Sequence, residues 1–303
     1  MTINTSAVPS IKFIEKFGLL CNSSYMSNSI VKIYNMSGYH EYRPKQPNFL
    51  VEALWAHVTP FNAPIGGIHH LVPESTPNIA ISRRFNDTGS TSFERVELFG
   101  PINQPFRFTL TPGHEMIAVR IKPEWLPCLL GVSADDILNY DVNLEEISPE
   151  LSARLLSIFE TRKSTPEMLF DMYSIIKNYA YEHMNRYKPP LYGAQAVEMI
   201  RRSGGTMRQK HLAKHLNVSE RQLRRTVQNM ISMSPKSLSR NIRFLKTLEY
   251  ADQASNINWS DCAVNFGYFD QAHLINDFKA ISNLTPSQLM SVRVAESVFS
   301  NPI

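Results

Sequence analysis

Arg221, Arg224 and Arg225 lie at three- and four-residue spacing, so on a helix they share one side. A guanidinium donates through a fixed planar fork that matches two acceptors on a guanine edge or a phosphate. Leu223 and Val227 fall on the other side and would hold the helix against a core. Two readings compete at this point. One is a helix that enters a DNA major groove; the other is an amphipathic core helix with a solvated basic face, the ordinary fate of a charge run. In either case the chemistry is hydrogen bonding and charge neutralisation, with no bond made or broken.

A second copy of the pattern separates the readings. Leu223 precedes Val227 by four residues and Pro235 follows Val227 by eight; Leu274 precedes Phe278 by four and Pro286 follows by eight. Ala213 and Ala263 open the two copies, and Ser234-Pro235 mirrors Thr285-Pro286. Each copy predicts a short apolar helix, a tight turn, a capped second helix and a stop. Ser219 is an N-cap that Gln222 completes as a capping box, and Asp270 caps the matching helix. Matched internal repeats favour two helix-turn-helix units over two unrelated amphipathic helices. Pro235 to about Tyr250 predicts one long helix between the units, with Leu238, Ile242, Leu245 and Leu248 at buried spacing.

The stretch Met207–Leu289 resembles the DNA-binding domain of the AraC/XylS family of bacterial transcription regulators. The resemblance rests on Leu212-Ala213, Ser219, Leu223, Arg225, Ser234-Pro235, Arg243, Ala263, Phe266-Gly267-Tyr268, Leu274, Phe278-Lys279 and Thr285-Pro286. The run Gly267 to Leu274 looks like the subgroup whose signature reads GYxDQAHL. The resemblance implies that Arg221, Arg224 and Arg225 read bases in one groove and that Gln271, Ala272, His273 and Asn276 face a second. Ser219, Gln222, Lys210, Lys279, Arg240 and Arg243 are then expected to make backbone contacts or give support, the family position that matches Arg243 being open to a buried structural arginine as well as to a phosphate contact. Two positions depart from the family. Ser232 stands where glycine usually follows the first recognition helix, which implies strain or altered geometry there. Asn276-Asp277 stands where the family often has arginine. An acid beside DNA is unfavourable unless paired, so the second unit is expected to give orientation and backbone contacts more than base readout.

The charge distribution agrees. Residues 201–290 hold 13 Lys and Arg against 6 Asp and Glu, whereas residues 1–190 hold 17 against 19. The positive charge is gathered where phosphate would be met. The chain is long enough for two domains, with 43% hydrophobic and 19% charged residues. No apolar run is long enough for a membrane span, and Met1 to Ile11 lacks an apolar signal-type core. Cys21, Cys128 and Cys262 are odd in number and far apart, which favours a reduced cytoplasmic setting.

Residues 28–150 read as β-rich. Phe49-Leu50-Val51, Ile79-Ala80-Ile81, Val96 to Phe99 and Met116 to Ile121 are short apolar runs parted by turn signals. A small barrel or sandwich is expected. The layout is similar to the sensor domain found with this subgroup, through Trp55, Leu71-Val72-Pro73, Phe99-Gly100-Pro101 and Val119 to Pro123 running on to Val132. Pro73 to Pro77 replaces the subgroup's Pro-Asp-Gly turn. Leu151, Leu155, Ile158 and Phe159, then Leu169, Met172, Ile176 and Tyr179, predict two amphipathic helices that pack on the β-domain or form a dimer seam. Residues 11–17 are a short helix or an edge strand; Lys188-Pro189-Pro190 is the expected linker, Gln195–Arg202 the first helix of the second domain, and 291–303 a frayed tail.

Other chemistry finds little support. Adjacent His69 and His70 point to opposite faces of a strand, so a shared metal is disfavoured and no cofactor is expected. Cys128 and Cys262 lack a basic neighbour and read as small core residues. Trp55, Phe61, Phe85, Phe99 and Phe106 read as core before pocket. No phosphate loop, dinucleotide fingerprint or nucleophile elbow is present, so an enzyme with a DNA-binding tail is the weakest rival.

The reading is an α+β chain. It has a β-rich sensor or dimerisation domain (1–145), a helical linker region (146–190), an all-α domain with two helix-turn-helix units (191–293) and a tail (294–303). It predicts a cytoplasmic transcription regulator, by resemblance an activator, that binds double-stranded DNA. Its further partners would be a small-molecule effector, RNA polymerase and a second copy of the chain. The alternative is a regulator without effector, controlled by protein partners or expression level.

Overall fold

The computed structural model describes residues 30–36, 39–44, 48–59, 68–71, 73–86, 90–109, 111–161, 163–183, 191–254 and 256–299. The expectations for Cys21, Phe61, residues 11–17 and the Lys188-Pro189-Pro190 linker lie outside them, as do the side chains of His69, His70 and Phe106.

Period-two patterning builds the first domain. Strands β1 (Ile30–Met36), β2 (Tyr39–Pro44), β3 (Val51–Val58), β5 (Asn78–Phe85), β6 (Thr91–Phe99), β8 (His114–Ile121) and β9 (Asp141–Asn143) form one antiparallel sheet, in the order β1-β2-β3-β8-β5-β6-β9. Strands β4 (Ile68–Leu71) and β7 (Phe106–Thr109) pair separately. The four apolar runs in the sequence fall at the start of β3 and within β5, β6 and β8.

Register sorts the two faces. Leu54, Val119, Ile79 and Leu98 stand opposite one another across four strands, and Ala56, Ile117, Ile81 and Val96 form the next row. Both rows are buried. Three helices follow β8, namely α1 (Leu126–Leu130), α2 (Leu144–Ile147) and α3 (Pro149–Leu156), and then comes the longer α4 (Thr165–His183). Met168, Leu169, Met172, Ile176 and Tyr179 of α4 share the core with the two rows, and the helix lies against β3 and β8. Intradomain packing thus accounts for this predicted helical face.

The opposite face is polar. Trp55, Ala118, Ala80 and Glu97 make one row and Arg120 stands beside Asn78. Arg120 pairs with Glu74 at 2.8 Å and with Glu41 at 3.3 Å. Tyr39 Oη donates to Glu41, Thr76 Oγ1 to Glu74 and Trp55 Nε1 to Asn78. Burial pushes the Glu74 carboxyl up against the pull of Arg120; at Glu41 burial pushes the same way, but Arg120, the Tyr39 hydroxyl and Arg43 together outweigh it and the carboxyl is held low.

The second domain is helical: α5 (Leu191–Arg202), α6 (Gln209–His215), α7 (Glu220–Ile231), α8 (Pro235–Gln253), α9 (Trp259–Asn265), α10 (Gln271–Ser282) and α11 (Pro286–Phe299). Helix α5 begins four residues earlier than expected. Residues 291–299, expected as a frayed tail, continue α11; no Gly or Pro interrupts them. Cys128 and Cys262 are both buried free thiols, as the sequence suggested. Among the described residues no helix is long and apolar enough to cross a membrane, and no group of three or more potential metal ligands is found.

Ile117 lies at the centre of the apolar rows with no exposure. Ile117→Ala is expected to cost about 2–5 kcal/mol in denaturant unfolding. A loss below ~1 kcal/mol would show that the rows do not carry the core.

Candidate nucleic-acid interface

Both units close their turns in the same way. In the first, Asn217 adopts φ 53° and Val218 N donates to Ala213 O at 3.0 Å. In the second, Gly267 adopts φ 75° and Tyr268 N donates to Ala263 O at 2.9 Å. Ser219 Oγ then accepts from Gln222 N, and Asp270 Oδ1 accepts from His273 N at 2.7 Å. Both predicted caps are therefore formed, satisfying helix N–H groups that otherwise lack partners. Helix α7 ends at Ser232 in the left-handed conformation, φ 59°, where α10 ends at Asn283, φ 61°. A β-carbon at such a position costs about 1–2 kcal/mol, so the missing glycine leaves strain in the first unit.

One helix serves both cores. Leu238, near the start of α8, packs with Leu212, Ala213, Leu223 and Val227. Phe244 and Leu248, a few turns on, pack with Cys262, Ala263, Leu274 and Phe278. The Phe244 and Phe278 rings meet edge-on at 4.7 Å.

With Leu223 and Val227 turned inward, Lys210, Ser219, Arg221, Gln222, Arg224 and Arg225 are exposed. Gln271, Ala272, Asn276 and Lys279 are exposed on the second unit, and His273 is half-buried. Ser260 Oγ donates to Gln271 Oε1 at 2.8 Å, tying α9 to the start of α10. His273 Nδ1 accepts from Phe269 N at 3.2 Å, which holds the ring against its own turn.

Asp277 differs from expectation. It is buried and faces α8, where Arg240 donates to it at 2.8 Å and Arg243 at 3.4 Å. The electrostatic objection to base reading by the second unit therefore falls away, since the acid is turned inward and paired. Arg240 spends its guanidinium on this support. Of the two roles open to Arg243 the structure shows internal support: it also donates to the carbonyl of Gly205 at 3.2 Å. A β-carbon on Gly205 would lie 2.2 Å from the Ser239 carbonyl oxygen, so only glycine permits this approach of the α5 end to α8.

The sequence reading passed over Phe269, whose exposure is 91%. Superposing the copies exposes it. Cap follows turn directly at Val218-Ser219, whereas Phe269 stands between Tyr268 and Asp270 as one additional residue. Val264 on α9 is also strongly exposed, at the place of Lys214 in the first unit.

Residues 212–291 match a family model described as a helix-turn-helix domain. The C-terminal domain is an AraC-type helix-turn-helix domain. Among solved structures, the chain is similar to ToxT from Vibrio cholerae. An apo lysine-to-alanine variant of strain SCE256 has 13% identity and a TM-score of 0.41, over 79% of this chain and 97% of that one. Wild-type ToxT of that strain, bound to unsaturated fatty acid, has 13% identity and a TM-score of 0.40, over 79% and 94%. Likeness of that degree carries no weight for the fold or ligand of this chain. No curated protein matches it. The helix-turn-helix match implies DNA binding, and α7 is the capped helix that turns a basic face outward.

Asp277→Asn leaves two arginines without their shared carboxylate. The expected loss of stability is on the order of 2–3 kcal/mol, below the roughly 3–5 of a fully buried pair because Arg240 is over a third exposed. Urea unfolding measures it, and a change under ~0.5 kcal/mol would remove Asp277 from any supporting role.

Proposed function

We propose that the protein is a transcription activator whose two helix-turn-helix units read adjacent major grooves on one face of duplex DNA. The observation that carries this is the sharing of α8, which enters both cores and so fixes one unit against the other. Nineteen helical residues span about 28 Å, comparable with the roughly 34 Å between successive major grooves. In this reading Arg221, Arg224 and Arg225 contact bases in the first groove, and Gln271, His273 and Asn276 face the second, with Ala272 against a thymine methyl. Lys210, Ser219, Gln222 and Lys279 serve the phosphate backbone, and Arg240 supports α10 from behind. Activation, with RNA polymerase as partner, rests on the family resemblance.

The first domain is the sensor in this proposal. Its polar face holds buried Glu41 and half-buried Arg120, Glu74 and Asn78 beside buried Ala53, Ala80 and Ala118, and Ser82 Oγ has no partner among the described residues. Buried polar groups above small residues suit a small polar effector. Dimerisation through the same domain is compatible with that role.

Selection of bound duplexes from a random pool is expected to enrich two short boxes about one helical turn apart. On the enriched duplex Arg224→Ala should cost about 1–3 kcal/mol, with little change on random DNA. Equal losses on both would remove Arg224 from base reading.

A further inference from the structure

The two domains meet through buried charge. Arg201, at the end of α5, donates from Nη1 and Nη2 to both oxygens of Glu124 at 2.5 and 3.1 Å. Glu124 stands in the turn Pro123–Trp125 that follows β8, and both side chains are largely shielded from water. Two residues before Glu124, Lys122 pairs with Glu198 of α5 at 3.1 Å. A second grip lies elsewhere. Asn241 of α8, buried, donates through Nδ2 to the carbonyl of Pro73 at 3.0 Å. The turn at 123–125 also lies against α7, and α11 approaches β4. The first domain thus touches the first unit, the shared helix and the final helix.

A bidentate guanidinium–carboxylate pair has one good geometry, and burying it yields little net stability compared with apolar packing. Its effect is to specify orientation. Asn241 acts likewise, since a buried amide donor is costly to leave unpaired. Both grips are neighbours of a single pair in the polar face. Lys122 and Glu124 follow Arg120 by two and four residues, Pro73 precedes Glu74 by one, and Arg120 holds Glu74 at 2.8 Å.

We propose that Glu124, Arg201 and Asn241 are positioning residues for DNA binding, through which the first domain braces both helix-turn-helix units, with the Arg120–Glu74 pair setting the brace. The proposal rests on the two-groove reading and adds to it. An effector that competes for Glu74 or Arg120 would shift both grips together, and so the placement of α5 and α8. None of these residues lies on the exposed basic face, so each acts on DNA only through placement.

The test uses the full-length chain and the duplex it enriches, intact or with one box scrambled, together with hydrogen exchange at residues 122–126. Arg201→Glu is expected to weaken the two-box duplex about tenfold, leave the one-box duplex within about twofold, and raise exchange at 122–126. The swap Glu124→Arg with Arg201→Glu should restore both readouts. Arg201→Met and Asn241→Ala, which place no carboxylate among Glu52, Glu124 and Glu198, should show the same selectivity to a lesser degree. Faster exchange with unchanged two-box affinity would overturn the brace and leave the two-groove reading intact. Equal losses on both duplexes would overturn it as local damage to the first unit. A wild-type chain that binds both duplexes equally would overturn the two-groove reading and the brace with it.

Discussion

The carboxylate of Asp277, held between Arg240 and Arg243, is the constraint on which the second domain depends. It fixes α10 to α8 from the side away from solvent. Arg243 extends the link to the Gly205 carbonyl at the end of α5, so one side chain joins elements of both units. Packing alone would allow α10 to roll on α8, because apolar contacts are weakly directional. Paired charges in a shielded site do not slide in that way, since a displaced arginine or aspartate would be left buried without its partner. The set spacing of α7 and α10 follows from this cluster and from the capped helix α8, which starts at Ser234-Pro235 and enters both cores.

The first domain divides its sheet between two tasks. One face is apolar, ordered by cross-strand rows and covered by α4. The other holds Arg120 among carboxylates and aromatics. The same strand, β8, supplies residues to both faces and then runs directly into Lys122 and Glu124 at the domain boundary. Core, polar face and interdomain contact are therefore consecutive along one stretch of chain, which gives an event in the polar face a short covalent path to the DNA-binding domain.

Much of this was legible in the sequence. Spacing among Leu223, Val227 and Pro235, repeated at Leu274, Phe278 and Pro286, located both units because turn, cap and buried stripe each demand particular residue types. The caps Ser219 and Asp270 followed from the same logic, whereas the supporting role of Arg243 was one of two that the family resemblance implied. Asp277 was misjudged because its neighbour Asn276 is exposed, and one residue on a helix swings the side chain by about 100°. Only the location of α8 decides which of the two faces water. Phe269 is silent in the repeat because Leu223, Val227 and Pro235 and their counterparts Leu274, Phe278 and Pro286 all follow the turn and so keep their spacing whatever its length. The pair Glu124–Arg201 was illegible for another reason. The partners are 77 residues apart, and each taken alone reads as an ordinary surface charge.

The central claim is that α8 holds two reading helices at one fixed separation. It is tested most directly by inserting five base pairs, half a helical turn, between the two boxes of the enriched duplex. The account predicts that binding falls to the level of a duplex carrying a single box, because a helix clamped through Asp277 cannot rotate its second unit to the opposite face of the DNA. Undiminished affinity for the inserted duplex would contradict it and would mean that the two units engage DNA independently.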